Sequence, residues 1–256
     1  MAQKHYDEQF LYSKTYLIQF LTEKLRCSLK ELNILEVGCA EGGFIAACND
    51  ENINVDGLEL EPSRVETALK MNPAINVKTG DITKKSIFNY YEENKYDLII
   101  IRDVIEHIEE KNKAFANMKK LLKEGGHIFI TFPPLYSPFA GHQQNGHTLI
   151  AKTPYIHLLP VRLFKFFAKT LNENPSVIDD IIFNRANGLS IKSFFLLCAK
   201  HDLNLLDFNL FLFRPIFQIR FGLSPRKFPN MPIIREFFSL GCETILKKTK
   251  NAETNY

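Results

Sequence analysis

The stretch LEVGCAEGG, residues Leu35 to Gly43, decides the fold of this 256-residue chain. It continues a short apolar run and leads into residues 44–47, FIAA, which are typical of a helix. A buried strand that turns through glycines into a helix lets a ligand approach the backbone closely, because glycine has no Cβ and the first N–H groups of a helix are free. The stretch therefore predicts a ligand site where a buried strand ends.

An acidic side chain follows at a distance that suits the same ligand. Glu59 lies 21 residues after Gly38, at the end of a second apolar run, NVDGLEL. A carboxylate in this position can accept hydrogen bonds from the two hydroxyls of a ribose. The glycine turn and this carboxylate together predict half of a nucleoside-binding α/β domain.

Apolar strands alternate with helix-like segments through the first half of the chain. Strands are predicted at 33–37, 54–60, 75–79, 96–101 and 127–132, with helices at 42–49, 62–71 and 111–123 between them. Gly125 and Gly126 are expected to end the last of these helices. A helix at 190–201 and strands at 204–213 and around 244–246 follow. This alternation predicts a doubly wound, mostly parallel sheet that binds ligands where the winding reverses.

Four parts are expected within one domain. Leading helices occupy 1–32, the nucleoside-binding half 33–133, an insertion 134–188, and the last helix and strands 189–249, before a frayed tail at 250–256. Aromatic and proline content rises from about residue 133 onwards. Long irregular segments inside compact domains usually act as lids or binding loops, so the helical and aromatic insertion is expected to cover the acceptor.

Composition and charge exclude several classes of protein. A net charge of +3 is too small to indicate nucleic-acid binding. The five cysteines show no C-x-x-C spacing and no histidine-rich partner, which predicts reduced thiols in a cytoplasmic protein and no metal site. The first ten residues lack the apolar core of a signal peptide, and no uncharged run approaches the length of a membrane span.

Five motifs in order resemble those of the class I S-adenosylmethionine-dependent methyltransferases. They are LEVGCAEGG, GLELEP (57–62), TGDI (79–82), YDLIIIRDVIEHI (96–108) and LLKEGGHIFITFP (121–133). The resemblance covers 33–132 well and implies a Rossmann-like α/β fold with seven strands and S-adenosylmethionine as the cofactor.

Roles for individual residues follow from the resemblance. It implies that the glycine turn cradles the methionine part of the cofactor, with Ala40 where the usual turn has its middle glycine. Glu59 is expected to bind the ribose, Asp81 with Ile82 the adenine, and residues 103–107 the floor between cofactor and acceptor. The cofactor-binding residues expected on this basis are Glu36, Gly38, Cys39, Ala40, Gly42, Glu59, Leu60, Asp81, Ile82, Asp103 and Val104.

Histidines are the candidate groups on the acceptor side. The segment 132–148 leaves the fifth strand above the expected methyl donor and contains His142 and His147. Methyl transfer to a hydroxyl gains from a base that takes its proton, and histidine has a suitable pKa. We predict His142 as this base, followed by His147 and then His107. A histidine in a polar loop can equally have a structural role.

The acceptor is expected to be a small molecule or a glycan that is methylated on oxygen. Residues 211–223 and 231–248 are similar to methyltransferases from bacterial surface-polysaccharide loci, which suggests a lipid-linked glycan. Residues 162–169 interleave basic and aromatic side chains. This pattern fits the buried and solvated faces of a lid helix, and it also fits an amphipathic face on a membrane surface.

Two other functions suit parts of the same pattern. A nicotinamide-dependent oxidoreductase also has a glycine turn and a later acid, but the chain shows no second mononucleotide-binding half. A non-catalytic protein that keeps the fold is the other alternative, although folding does not require the turn, Glu59 and Asp81 together. A nucleic-acid methyltransferase is not expected, because no Asn-Pro-Pro-aromatic motif follows the fourth strand.

Overall fold

A computed structural model describes residues 2–249 and contains an eight-stranded sheet. The predicted tail at 250–256 lies outside the described residues. The strands are β1 Ile34–Val37, β2 Val55–Glu59, β3 Asn76–Thr79, β4 Tyr96–Arg102, β5 Leu122–Phe132, β6 Leu203–Phe213, β7 Arg226–Phe228 and β8 Gly241–Lys248. Their order across the sheet is β3-β2-β1-β4-β5-β8-β6-β7.

Ten α-helices accompany the sheet in the described residues. They are α1 Ala2–Tyr12, α2 Ile18–Leu25, α3 Gly43–Asp50, α4 Pro62–Met71, α5 Lys111–Leu121, α6 Val161–Thr170, α7 Pro175–Asn187, α8 Ile191–Lys200, α9 Ile216–Phe221 and α10 Ile234–Phe238. A π-helical stretch, Ser13–Leu17, joins α1 to α2. Within residues 2–249, none of the helices has both the length and the apolar character that a membrane span requires.

The predicted doubly wound, mostly parallel sheet is confirmed. Strands β1 to β5 run parallel, and β8 lies antiparallel between β5 and β6. The winding reverses between β1 and β4. In the register, Val37 stands opposite Leu58 on one side and Ile101 on the other. The residues that follow these three strands therefore meet at one edge of the sheet, as the sequence predicts.

Both faces of the sheet are covered, which explains the continuous apolar run of β4. Ile99 packs in one buried cluster with Phe115 of α5, whereas its neighbour Ile100 packs in a second cluster with Phe44 of α3. Because alternate side chains of a strand point to opposite faces, a strand buried on both sides has no polar positions.

Two local features differ from the sequence-based expectation. Gly125 and Gly126 lie inside β5 rather than after α5. There, residues 122–127 of β5 stand opposite only 96–98 of β4, and the left-handed backbone of Gly125 (φ +76°) makes this bulge. The eighth strand, β7, was not predicted, because it has three residues and packs as an edge strand against β6 alone.

The insertion packs around a small apolar cluster of its own. Phe164 and Ala168 of α6 contact Ile178 and Ile181 of α7 and Ile150 of the loop. Glu173, between the two helices, accepts hydrogen bonds from the backbone N–H groups of 147, 148 and 174. These bonds tie the loop that follows β5 to the helices of the insertion.

Candidate functional site

The glycine turn after β1 has the left-handed backbone that its sequence requires. Gly38 has φ +72°, and a Cβ there would collide with Cγ2 of Val104. Gly42 has φ +78°, and a Cβ there would lie 2.6 Å from Cδ1 of Ile75. Ala40, between them, also has a positive φ of +54°, which costs an L-residue about 1 kcal/mol. The two glycines therefore let Val104 and Ile75 pack closely against the turn, and Ala40 adds some backbone strain.

Glu59 holds the turn from the end of β2. Its Oε2 accepts the backbone N–H of Ala40 at 2.8 Å, and its Oε1 accepts the N–H of Glu61 at 3.1 Å. The side chain is only 5% exposed. An ionised carboxylate offers about four acceptor positions, so about two remain for the hydroxyls of a ribose. Leu60 beside it is exposed and lines the same cleft.

Two compartments open at this edge of the sheet and share one wall. Gly38, Arg64, Asp103 and Val104 line both of them. The compartment that the sequence leads us to expect for the adenosyl group, called the adenosyl compartment below, has a volume of about 270 Å³ and is also lined by Glu59, Leu60, Asp81, Ile82 and His107. The second compartment, about 190 Å³, is also lined by Tyr12, Arg102, Thr131, Arg214 and Glu243.

Asp81 and Ile82 follow β3 and line the same compartment as Glu59. One Asp81 oxygen, Oδ1, accepts both the N–H and the hydroxyl of Thr83, at 2.8 and 2.7 Å. The residue therefore also forms the turn that its position after Gly80 suggests. Asn117 of α5 donates to the Ile82 carbonyl at 2.7 Å and fixes the loop.

Asp103 is an ion-pair residue at the centre of the shared wall. Both of its carboxylate oxygens accept from Nη2 of Arg214, at 2.6 and 2.7 Å, and Thr131 donates to it at 3.2 Å. Burial alone would raise the pKa of Asp103, but the Arg214 guanidinium outweighs it and holds that pKa below its usual value. Asp103 thus fixes Arg214 in the lining of the second compartment.

Glu36 and Cys39 support the turn from behind. Glu36 is 1% exposed and forms an ion pair with Arg102, with Nη2 and Oε1 2.5 Å apart. It is Arg102, not Glu36, that lines the second compartment. Cys39 is fully buried, and its sulfur lies close to Gly57 of β2. The structure therefore brings these two predicted residues behind the cleft rather than into its wall.

Several cleft residues have no counterpart among those predicted from sequence. Tyr12 comes from α1, Arg214 from the loop after β6, and Glu243 from β8. Of these residues, Glu243 could have been suspected from the sequence. It places a carboxylate within a mostly buried strand, and buried charges are rare without a specific role.

Glu243 makes the stability of the fold depend on pH. The side chain is 3% exposed and accepts from the Tyr16 hydroxyl at 2.9 Å. Burial raises its pKa to about 7. A carboxyl with a raised folded-state pKa contributes most below its unfolded value, and this contribution is lost as pH rises through the folded value. Relative to Glu243→Gln, the wild type should lose on the order of 3 kcal/mol of unfolding free energy between pH 5 and pH 8.

Urea titrations of the two proteins across this pH range measure the effect. Glu92→Gln removes an exposed carboxylate and should reproduce the wild-type pH dependence. Parallel curves for the wild type and Glu243→Gln would contradict the raised pKa.

The predicted histidines separate into a pair and an outlier. The rings of His107 and His142 lie edge to face with centroids 4.8 Å apart. Burial, and then the neighbouring His107, lower the pKa of His142 to about 4. His147 stands exposed further along the loop, with its backbone N–H on Glu173. The structure therefore joins two of the three candidate bases at the adenosyl compartment and leaves the third apart.

Comparison with known proteins identifies the family. A family model for a methyltransferase domain matches residues 6–179, which is more than half of the chain. The match covers most of the leading helices, the whole nucleoside-binding half and most of the insertion. It decides against the nicotinamide-dependent alternative.

Curated relatives match over the cofactor-binding half and differ in their acceptors. The chain is 36% identical over 106 residues to phosphoethanolamine N-methyltransferase 3 of Arabidopsis thaliana, covering 38% of the chain and 20% of the relative. It is 37% identical over 111 residues to malonyl-[acyl-carrier protein] O-methyltransferase 1 of Ilyobacter polytropus, covering 41% and 40%. For the ubiquinone biosynthesis O-methyltransferase of Rickettsia bellii the identity is 27% over 117 residues, covering 44% and 48%. The chain thus spans from about a fifth to about half the length of these relatives.

Solved structures agree on the fold. An S-adenosylmethionine-dependent methyltransferase of Mesorhizobium loti superposes with a TM-score of 0.53 at 15% identity, covering 84% of this chain and 90% of its own. Geranyl diphosphate C-methyltransferase of Streptomyces coelicolor gives 0.56 at 11% identity, covering 91% and 78%. The chain belongs to the class I S-adenosylmethionine-dependent methyltransferases.

Proposed function

We propose that the chain transfers a methyl group from S-adenosylmethionine to a hydroxyl of a small molecule or glycan. The observation that carries the proposal is the convergence of Gly38, Glu59 and Val104 on one cleft beside the His107–His142 pair. Two of the relatives are O-methyltransferases by name, which supports oxygen as the acceptor atom.

The cleft fits the cofactor in three respects. The absent Cβ of Gly38 leaves room for Val104 beside the turn that would hold the methionine part, and the free acceptor positions of Glu59 suit the ribose. Asp81 and Ile82 lie at the far end of the adenosyl compartment for the base. When bound, the cofactor supplies an electrophilic methyl group on a positively charged sulfur.

The residues around the shared wall would align and enclose the acceptor. In a direct displacement, the acceptor oxygen forms its bond to the methyl carbon as the carbon–sulfur bond breaks, and the electron pair stays on sulfur. Much of the acceleration comes from holding the two partners in line. Val104 forms the floor for this alignment, and the hydroxyl proton must leave to a nearby group.

We propose that His142 takes this proton in the protein without a bound metal ion. Its ring contacts His107, which lines the adenosyl compartment. Gln143, fully buried, donates to the Pro138 carbonyl at 2.7 Å and so fixes the loop beside His142. An imidazole fixed against His107, which lines the adenosyl compartment, supports this role as a general base.

Exposed aromatic side chains of the insertion and of α10 support a sugar or another ring as the acceptor. Tyr136, Phe139 and Phe237 are each 38% exposed, and the Tyr136 and Phe237 rings lie 5.7 Å apart. Exposed faces of this kind stack on apolar faces of ring compounds.

Methyl transfer is tested directly with labelled cofactor. The purified protein should transfer label from S-adenosylmethionine into at least one product when it is incubated with pools of phenols, polyols and lipid-linked glycans. Mass spectrometry of the product identifies the methylated atom. A protein that fails to bind S-adenosylhomocysteine in calorimetry would contradict the proposal at its root.

We further propose that α6 touches a membrane surface when the acceptor is lipid-linked. Phe166 and Phe167 are 63% and 42% exposed, and the basic side chains Arg162, Lys165 and Lys169 flank them. Exposed aromatic side chains between cations suit an anionic lipid interface. The protein should sediment with anionic vesicles and not with neutral ones, and Phe166→Ala with Phe167→Ala should abolish this. Absence of sedimentation would rule out the contact.

A further inference from the structure

A buried carboxyl group that makes no hydrogen bond within the described part of the chain lies beside the histidine pair. Glu106 is 2% exposed, and neither of its carboxylate oxygens has a hydrogen-bond partner among the described residues. Leaving a buried polar group unsatisfied costs about 1–3 kcal/mol. Such a group in a folded protein needs an explanation, and a bound ion is one of the few available.

The surroundings of Glu106 offer the rest of a coordination shell. One ligand atom each from Glu106, His107 and His142 lies within 4.8 Å of the other two. In a tetrahedral zinc site with bonds of about 2.1 Å, ligand atoms are roughly 3.4 Å apart. The ligand atoms therefore need to approach one another by at most about 1.4 Å around an ion.

We propose that Glu106, His107 and His142 bind a divalent transition-metal ion at the mouth of the adenosyl compartment. Two imidazoles and one carboxylate are the ligand set of many sites that keep an open coordination position. Imidazole ligands favour Zn²⁺ or Fe²⁺ over Mn²⁺ and Mg²⁺, which prefer oxygen. No local sequence motif indicates this metal site, because His142 lies 36 positions after Glu106.

A second layer of contacts would orient the ligands. Asn184 of α7 lies within hydrogen-bonding reach of the His107 ring, and its buried Oδ1 makes no hydrogen bond of normal geometry to a described residue. A metal-bound histidine usually donates its other ring N–H to such an oxygen. Asn184 also donates to the carbonyl of Gly141, at 3.4 Å, and so connects the loop before His142 to the same helix.

The proposed metal site depends on the proposed function in one respect only, which is the chemical nature of the acceptor. An ion at this place would bind the acceptor oxygen and lower the pKa of its hydroxyl, so that the proton leaves to solvent. His142 would then be a ligand, and its role as a free base would apply only to the metal-free chain.

Titration of the chelator-treated full chain with ZnCl₂, MnCl₂ and MgCl₂ tests the site by calorimetry. We expect one Zn²⁺ per chain, weaker Mn²⁺ and no measurable Mg²⁺ binding. Glu106→Gln and His142→Ala should each weaken Zn²⁺ binding by at least about tenfold. The matched controls, Glu109→Gln and His147→Ala, remove exposed side chains nearby and should leave the affinity unchanged.

Two further readouts keep the result unambiguous. Co²⁺ in the same site should show no thiolate charge-transfer band, because four of the five cysteines are buried elsewhere. Melting temperatures of the metal-free variants report whether they fold. Zn²⁺ binding that is absent, or that survives both Glu106→Gln and His142→Ala, overturns the proposal. Binding of S-adenosylhomocysteine to the metal-free chain tests the proposed function separately.

Discussion

Replacing Gly38 by alanine should abolish useful cofactor binding. The new Cβ would overlap Val104, which lines both compartments, and Gly38 has a left-handed backbone. The chain can relieve the overlap only by moving Val104 or the turn, and either movement displaces the methionine part of the cofactor. We expect the affinity for S-adenosylhomocysteine to fall by about 100-fold or more, equivalent to about 2.7 kcal/mol.

Gly125→Ala is the matched control for this substitution. Gly125 has almost the same backbone angle, φ +76°, but no atom lies within 4 Å of a Cβ built there. This variant should therefore lose only the 1–2 kcal/mol or so that a left-handed L-residue costs, and should bind the ligand normally. Calorimetry gives the affinity, and thermal unfolding shows whether Gly38→Ala still folds. Equal ligand affinity in the two variants would contradict the importance of close approach at Gly38.

Glu59→Gln should produce the second largest effect. The carboxylate is expected to accept from the ribose while it accepts from the N–H groups of Ala40 and Glu61. An amide can keep only one of its ends as an acceptor, so its NH₂ group would face a backbone N–H. Hydrogen bonds to a charged group contribute about 1.5–3 kcal/mol, which predicts an affinity lower by roughly 10- to 150-fold.

An exposed carboxylate on the next helix provides the comparison. Glu66→Gln in α4 changes the net charge by the same amount and should leave the affinity within about twofold, because an exposed carboxylate is well screened. Competition between adenosine and 2′,3′-dideoxyadenosine adds a more specific readout. The wild type should prefer adenosine and Glu59→Gln should not. An unchanged preference would show that Glu59 does not contact the sugar.

The sequence predicts the central strands well because their burial requires runs of apolar residues. Strands β1 to β5 appear within a few residues of their expected ends, except at the start of β5, and β4 reads as an unbroken apolar run because helices cover both faces. Edge strand β7 escapes prediction, since an edge position demands no buried residue on either side. Gly125 was misinterpreted because a glycine in a β-bulge and a glycine after a helix have the same left-handed backbone.

The site was predictable only where one short segment carries the signal. The turn at Gly38 and the acid at Glu59 are local patterns, and the structure brings them together. Glu36 was expected in the cleft, but its partner Arg102 lies 66 positions away and draws it behind the turn. The approach of His142 to Glu106 likewise depends on how the insertion folds back over the sheet, which no local spacing records.

The first helix has a consequence for any experiment that alters the start of the chain. A Cβ on Gly43 would lie 2.5 Å from the carbonyl oxygen of Tyr6, and the Gln9 side chain accepts the N–H of Gly43 at 3.2 Å. Glu8, Gln9 and Tyr12 line the second compartment. Deleting α1 would therefore remove one wall of this compartment and open it to water, even though this helix carries none of the family motifs.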